Sequence, residues 1–167
     1  MSTFVSGYTY AHSVTFVTDK MLMAIKEIIR CSGLSPEKLT SSWKVLQRGI
    51  NTWLNSRDLE TVVLEVYNPK TDALIGAWDF DIFYGAAGDC AMWVNTDDIK
   101  YHILKAGQWP SDCDYRIVLC TKSGRPDVEG FRGTTLRSRD GFVRQSIGTT
   151  IDGNGLGAGT AYWRAVK

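Results

Sequence analysis

From Gly124 to the end of the chain, 44 residues hold nine of its sixteen glycines. Glycine at that density makes helix and strand alike entropically costly, and no apolar stripe of helical period runs through the segment. It nevertheless keeps four aromatics, Phe131, Phe142, Tyr162 and Trp163, which a disordered tail rarely does. Such a stretch builds no core of its own, so it is predicted to drape over a domain formed by the residues before it. Its charge differs as well: seven basic and four acidic side chains, against twelve and fourteen in residues 1–123.

The preceding chain divides by period. Val14 to Ser32 places Val14, Val17, Met21, Ile25, Ile28 and Ile29 on one helical face, and Gly33 follows where a left-handed stop would fall. A second helix is expected from Ser35 as N-cap and Pro36 at the first helical position. Its stripe of Leu39, Trp43, Leu46, Ile50 and Trp53 suits about five turns across a sheet. Gly49 in its middle costs roughly 1 kcal/mol relative to alanine, which implies a close neighbour there. Thr61 to Tyr67 is a β-branched run, Asn68 to Asp72 a turn, and Ala73 to Tyr84 a second strand, predicting an antiparallel hairpin. Trp78, Phe80, Ile82 and Tyr84 then share one face, with Asp79 and Asp81 on the other. A short helix is predicted from an N-cap at Thr96 to Gly107, with Asp97 and Asp98 favoured in its first turn. Tyr115 to Thr121 reads as a third strand.

Composition bounds the rest. Hydrophobic residues are 44% and charged residues 22%, with a net charge of +1; this is one ordinary globular domain rather than a polybasic nucleic-acid or membrane-surface protein. No apolar run approaches the roughly 20 residues of a membrane helix, and MSTFVSGYTYAHS lacks the regions of a secretory signal. Cys31, Cys90, Cys113 and Cys120 form no CxxC pair and only two histidines accompany them, which argues against common zinc frameworks and points to a reducing cytoplasm.

Chemical motifs are weak. Asp79 and Asp81 point the same way on a strand and suggest a divalent-metal pair of a transferase, but without a phosphate-binding turn or a convincing third carboxylate they read as a polar strand face. Gly153, Gly155 and Ala158 match a dinucleotide fingerprint, yet only nine residues follow Ala158, too few for the required helix and strand. His12 and His102 sit on separate predicted helices, and a Cys–His nucleophile would need an unforeseen tertiary meeting. Cys120 reads as a small buried hydrophobe. Arg125, Arg132, Arg137, Arg139 and Arg144 beside Phe131 and Phe142 make the alternative reading: a small domain that clamps single-stranded nucleic acid. Asp127, Glu129 and Asp140 dilute that field.

The order of elements and five stretches carry a resemblance over nearly the whole chain: Tyr8 to Asp19 (YTYAHSVTFVTD), Glu65 to Asp72 (EVYNPKTD), Trp78 to Gly85 (WDFDIFYG), Gly124 to Gly130 (GRPDVEG) and Tyr162 to Arg164 (YWR). Together they resemble the bacterial HORMA-domain proteins encoded beside cGAS/DncV-like nucleotidyltransferases in CBASS anti-phage systems. The resemblance implies an α+β fold, helices packed on a three-stranded antiparallel sheet made of the hairpin and third strand. It also implies a single domain over 1–167, with a core of 1–121 and a C-terminal safety belt of 122–167.

Under the resemblance the chain is not an enzyme, needs no cofactor or metal, and binds a short closure-motif peptide along Tyr115, Arg116, Ile117, Val118, Leu119, Cys120 and Thr121. The belt, including Gly124, Arg125, Pro126, Asp127, Val128, Phe131, Phe142 and Val143, would pass over that peptide between about Lys122 and Thr150. Ala161, Tyr162, Trp163 and Arg164 would dock the end of the belt against the Ala73 to Tyr84 strand. Gly148, Gly153, Gly155, Gly157 and Gly159 would be its hinges. The implied protein partners are a cGAS/DncV-like nucleotidyltransferase, activated by the closed form, and an AAA+ remodelling ATPase that engages Ser2, Thr3, Phe4 and Val5. Nucleic acid would enter only through the partner enzyme, and no membrane is involved.

Overall fold

In the computed structural model, which describes residues 9–85 and 92–166, Thr9 opens the first helix. Its hydroxyl accepts from the His12 N–H and the His12 ring accepts from the Thr9 N–H, a reciprocal cap. This cap starts α1 at Tyr10, four residues before the sequence stripe suggests, and the helix runs Tyr10–Cys31. It ends as Gly33 predicts: Gly33, at φ +93°, donates to the Arg30 carbonyl while Leu34 reaches back to Ile29. Val17, Met21, Leu22, Ile25, Ile28 and Ile29 on α1 are fully buried, which makes this helix the centre of the core.

The expected five-turn second helix is two helices, α2 (Glu37–Ser41) and α3 (Trp43–Asn55), broken at Ser42. The Thr40 and Ser41 hydroxyls bond back to the Glu37 and Lys38 carbonyls, the local competition that weakens a helix at such residues. Lys38 and Leu39 are meanwhile held by Asp114 and Tyr115. Next come β1 (Leu59–Tyr67), β2 (Leu74–Tyr84), the short β3 (Trp93–Val94), α4 (Thr96–Ala106) and β4 (Asp114–Thr121). Asn95, not Thr96, caps α4, accepting from the Asp98 N–H at 3.1 Å.

Among the described residues the sheet has six strands, not three, in the order β3-β5-β6-β2-β1-β4. The extra strands come mainly from the glycine-rich tail, which folds as β5 (Phe142–Asp152) and β6 (Leu156–Ala165). Register shifts between Ser146 and Gly148 and between Thr149 and Ile151 break the alternation along β5; a bulge of this kind erases the period-two signal by which a strand is read. Phe142 and Val143 therefore open a strand instead of lying in the crossing part of the tail, and the irregular connection spans only 122–141. β6 pairs antiparallel with β2, Trp163 opposite Ala77 through Leu156 opposite Tyr84. The Trp78 and Tyr162 rings stack at 4.9 Å between centroids. α1, α3 and α4 cover one face of the sheet, whose core side carries Val62, Leu64, Trp78, Phe80 and Tyr162. No helix of the described residues is long and apolar enough to cross a membrane.

Candidate functional site at the edge strand

β4 borders only β1. It pairs with β1 from Tyr67 opposite Asp114 to Leu59 opposite Thr121, with a register shift between Leu59 and Thr61, so Tyr115, Ile117 and Leu119 share the helix side with Val66, Leu64 and Val62. Arg116, Val118 and Cys120 share the outer side with Glu65, Val63 and Thr61. The start of the strand is tied to α2. Lys38 Nζ reaches Asp114 at 2.9 Å and the Tyr115 carbonyl at 2.7 Å, while the Tyr115 hydroxyl donates to the Ser35 carbonyl and accepts from the Leu39 N–H. Along its other edge, β4 has no strand partner among the described residues.

The segment 122–141 leaves the end of β4 and first runs along α3. The Trp53 indole N–H donates to the Pro126 carbonyl at 2.7 Å, and the Arg125 guanidinium lies 4.9 Å from the Trp53 ring. Val128 is buried, and Arg48 donates to the Glu129 carbonyl. Phe131 meets Trp53 edge to face at 5.1 Å and packs on the bare backbone of Gly49, where a Cβ would collide with its ring. Here is the close neighbour that Gly49 implied.

The segment then crosses the edge of β4 to the outer face of the sheet and is fastened there. Glu65 is the anchor: its side chain is 0% exposed and receives the Arg116 and Arg137 guanidinium groups together with the Arg137 backbone N–H. Burial opposes a charge there, but the bonds from Arg137 and Arg116 outweigh it and hold the carboxyl below its ordinary value. Arg137 also bridges to Asp72 at 2.6 Å and stacks over the Tyr67 ring at 3.6 Å. Arg116 continues to the Thr134 hydroxyl and the Thr135 carbonyl. Farther along, Arg139 meets Asp79 and covers Trp163, whose indole N–H also donates to Asp79; Arg144 meets Asp81.

Between the strand and this strap lies a groove of about 320 Å³. Ile117, Val118, Leu119, Cys120 and Thr121 form one wall, Trp53, Arg125 and Phe131 the helix side, and Arg132, Gly133, Thr134 and Leu136 the strap. The arrangement is a bare strand edge inside a closed loop fastened on both faces of the sheet. Chemically it offers backbone hydrogen bonds and apolar walls to an extended chain.

Other sequence candidates do not join this site. Asp79 and Asp81 are neutralised by Arg139 and Arg144, and Asp81 also accepts from Thr61. No three His, Cys, Asp or Glu side chains among the described residues are grouped to hold a metal ion. Gly153 and Gly155 form the β5–β6 turn, followed by a strand and not a helix. Gly153 and Gly157 are places of close approach, against Val17 and Phe83 respectively, more than hinges. His12 serves the α1 cap, and His102 lies beside the Tyr162 hydroxyl at 3.5 Å. Burial, then Asp79, push the Cys120 thiol up, away from a reactive thiolate. Of the five arginines proposed to clamp nucleic acid, four are paired with the protein's own carboxylates. Ser2, Thr3, Phe4 and Val5 lie outside the described residues. Sequence reasoning missed the Glu65 clamp, although a carboxylate between Leu64 and Val66 in an apolar strand signals a buried partner.

A helical layer on one face, a hairpin, and a C-terminal segment that loops around an edge strand before joining the far side of the sheet together define a HORMA fold. The chain belongs to the bacterial HORMA domain 2 family, whose model matches residues 1–166. Among solved structures it is similar to a chain in the crystal structure of the mitotic checkpoint complex, with a TM-score of 0.76 at 9% identity over 93% of this chain and 99% of that one. It is also similar to C. elegans HTP-2 bound to the HIM-3 closure motif, TM-score 0.75 at 13% identity over 93% and 91%. A third is the E. coli MS115-1 CdnC:HORMA-deltaN complex, TM-score 0.62 at 11% identity over 98% and 94%. No curated protein matches the chain in sequence. Likeness at these identities speaks for the fold.

Proposed function

We propose that this chain is a peptide-binding signalling adaptor. A short closure-motif peptide adds to β4 beneath 122–141, and the peptide-bound domain binds and activates a cGAS/DncV-like nucleotidyltransferase in cytoplasmic anti-phage defence. The observation that carries the reading is the unpaired edge of β4 lying under a strap fastened on both sides. An exposed edge of this kind invites strand addition or aggregation, and a peptide under the strap satisfies it. The two fastenings, Trp53 with Phe131 on one side and Glu65 with Arg137 on the other, make sideways escape require one of them to open, which slows dissociation.

In this reading residues 1–121 are the core and 122–167 the belt, with Ala161, Tyr162, Trp163 and Arg164 its docked end. The chain itself performs no reaction. An AAA+ ATPase resets it by pulling on Ser2, Thr3, Phe4 and Val5. The start of α1 supports that role, because the Ser13 hydroxyl donates to the Asn154 carbonyl and Gly153 packs on Val17. Unwinding the first turns of α1 would release the β5–β6 turn and with it the belt. The likeness to a HORMA protein in complex with CdnC and to one bound to a closure motif supports the two partner classes.

The test is hydrogen exchange with mass spectrometry on the full chain, with and without peptides selected from a random nine-residue library. Protection of 115–121 and 122–141 by a selected peptide, with at most a modest loss between low and high salt, is expected. Failure to select any peptide would sink the reading, and tight binding of a single-stranded oligonucleotide that falls steeply with salt would favour nucleic acid instead.

A further inference from the structure

The helix side of β4 offers two sockets, not one continuous trough. The first, about 190 Å³, lies between α2–α3 and the start of the strand, where Leu39, Leu46 and Tyr115 form its floor and Ser42 its rim. The second is the groove under the strap, where Trp53, Leu119 and Phe131 form the helix-side wall. Ile117 lines both and is the ridge between them. Side chains on one face of a strand recur every second residue, about 6.7 Å apart. A strand added beside β4 therefore places helix-facing residues opposite Tyr115, Ile117 and Leu119. The outer two enter sockets, and the middle one sits over the ridge.

Charge supplies a further selector. Arg132 stands at the point where the strap crosses the strand edge, exposed and lining the second socket. Unlike Arg125, Arg137, Arg139 and Arg144, it makes no hydrogen bond or ion pair among the described residues.

Resting on the peptide reading above, we infer that the groove selects an extended peptide with two large apolar side chains four residues apart, a small side chain midway, and an Asp or Glu beyond the apolar residue of the second socket. The walls provide the spacing and Arg132 the carboxylate preference.

The experiment repeats the nine-residue library selection on the full-length chain and on three variants, with fluorescence anisotropy of the best wild-type peptide as the affinity readout. Ile117→Ala lowers the ridge and should admit large residues at the midway position. Ser42→Phe, at an exposed rim, should shift the first-socket position toward Gly or Ala and leave the second unchanged. Arg132→Glu should weaken the acidic wild-type peptide about tenfold and select Lys or Arg in place of the carboxylate. If wild-type protein selects no peptide, the peptide reading falls and this inference with it. If peptides are selected without the four-residue spacing, or the variants leave the selected pattern unchanged, this inference is overturned while the peptide reading stands.

Discussion

Glu65 fastens the strap on the outer face, its carboxylate wholly buried between two arginines. Glu65→Ala takes the acceptor from Arg116, from Arg137 and from the Arg137 N–H, but both arginines stay partly exposed and Arg137 keeps Asp72, so it is expected to cost about 1–3 kcal/mol in denaturant unfolding and to speed proteolysis within 122–141. The same group gives a pH response of known sign. Its folded pKa lies below the ordinary 4.5, so its contribution is complete above that value and is lost as pH falls through the lower folded pKa. The protection of amides across 131–141, taken relative to their intrinsic exchange rate at each pH, should stay flat from neutral pH to about 5 and fall only at more acid pH. Gly49 is the opposite kind of residue, defined by what it leaves out. Gly49→Ala should displace the Phe131 ring, cost about 1–3 kcal/mol and raise protease sensitivity in the strap while α1 stays protected. The need for a small residue at Gly49 was readable from a glycine inside a helical stripe. That Phe131 fills the space, 82 positions away in the chain, was not, since nothing local couples the two.

The β5–β6 hairpin is where local reading and observed element part most. Glycine at Gly148 (φ +96°) and Gly155 (φ +99°) allows a bulge and a turn, and these interrupt the alternation that marks a strand. The hairpin is held by the Trp78–Tyr162 stack in the core and by Trp163 bonded to Asp79 outside. Tyr162→Ala should therefore cost about 3–5 kcal/mol, measured by chemical denaturation, with exchange rising in β2 as well as β6. The two helices that looked like one show the same limit in reverse. Their shared stripe is real, but Thr40, Ser41 and the ties from Lys38 and Leu39 to β4 bend the backbone at Ser42.

Over the whole molecule, the tail pairs with the β2 edge of the strands before it and straps the β4 edge. β6 covers β2, and 122–141 runs past β4. A chain ending at Thr121 would leave both edges bare, and it is expected to associate or precipitate, seen as loss of the monomer peak in size-exclusion chromatography. What the amino-acid sequence by itself determined is the set of local elements: α1 with its glycine stop, the β1–β2 hairpin, α4, β4, and the requirement that a glycine-rich, aromatic-bearing tail cover the domain. Those follow from period, caps and turns, which act over a few residues. Only the tertiary structure decided that the tail supplies two strands to a six-stranded sheet, that Glu65 receives Arg116 and Arg137, and that a groove remains beside β4. Each of these joins residues far apart in the chain, where packing and the pairing of buried charge, not local propensity, choose the partner.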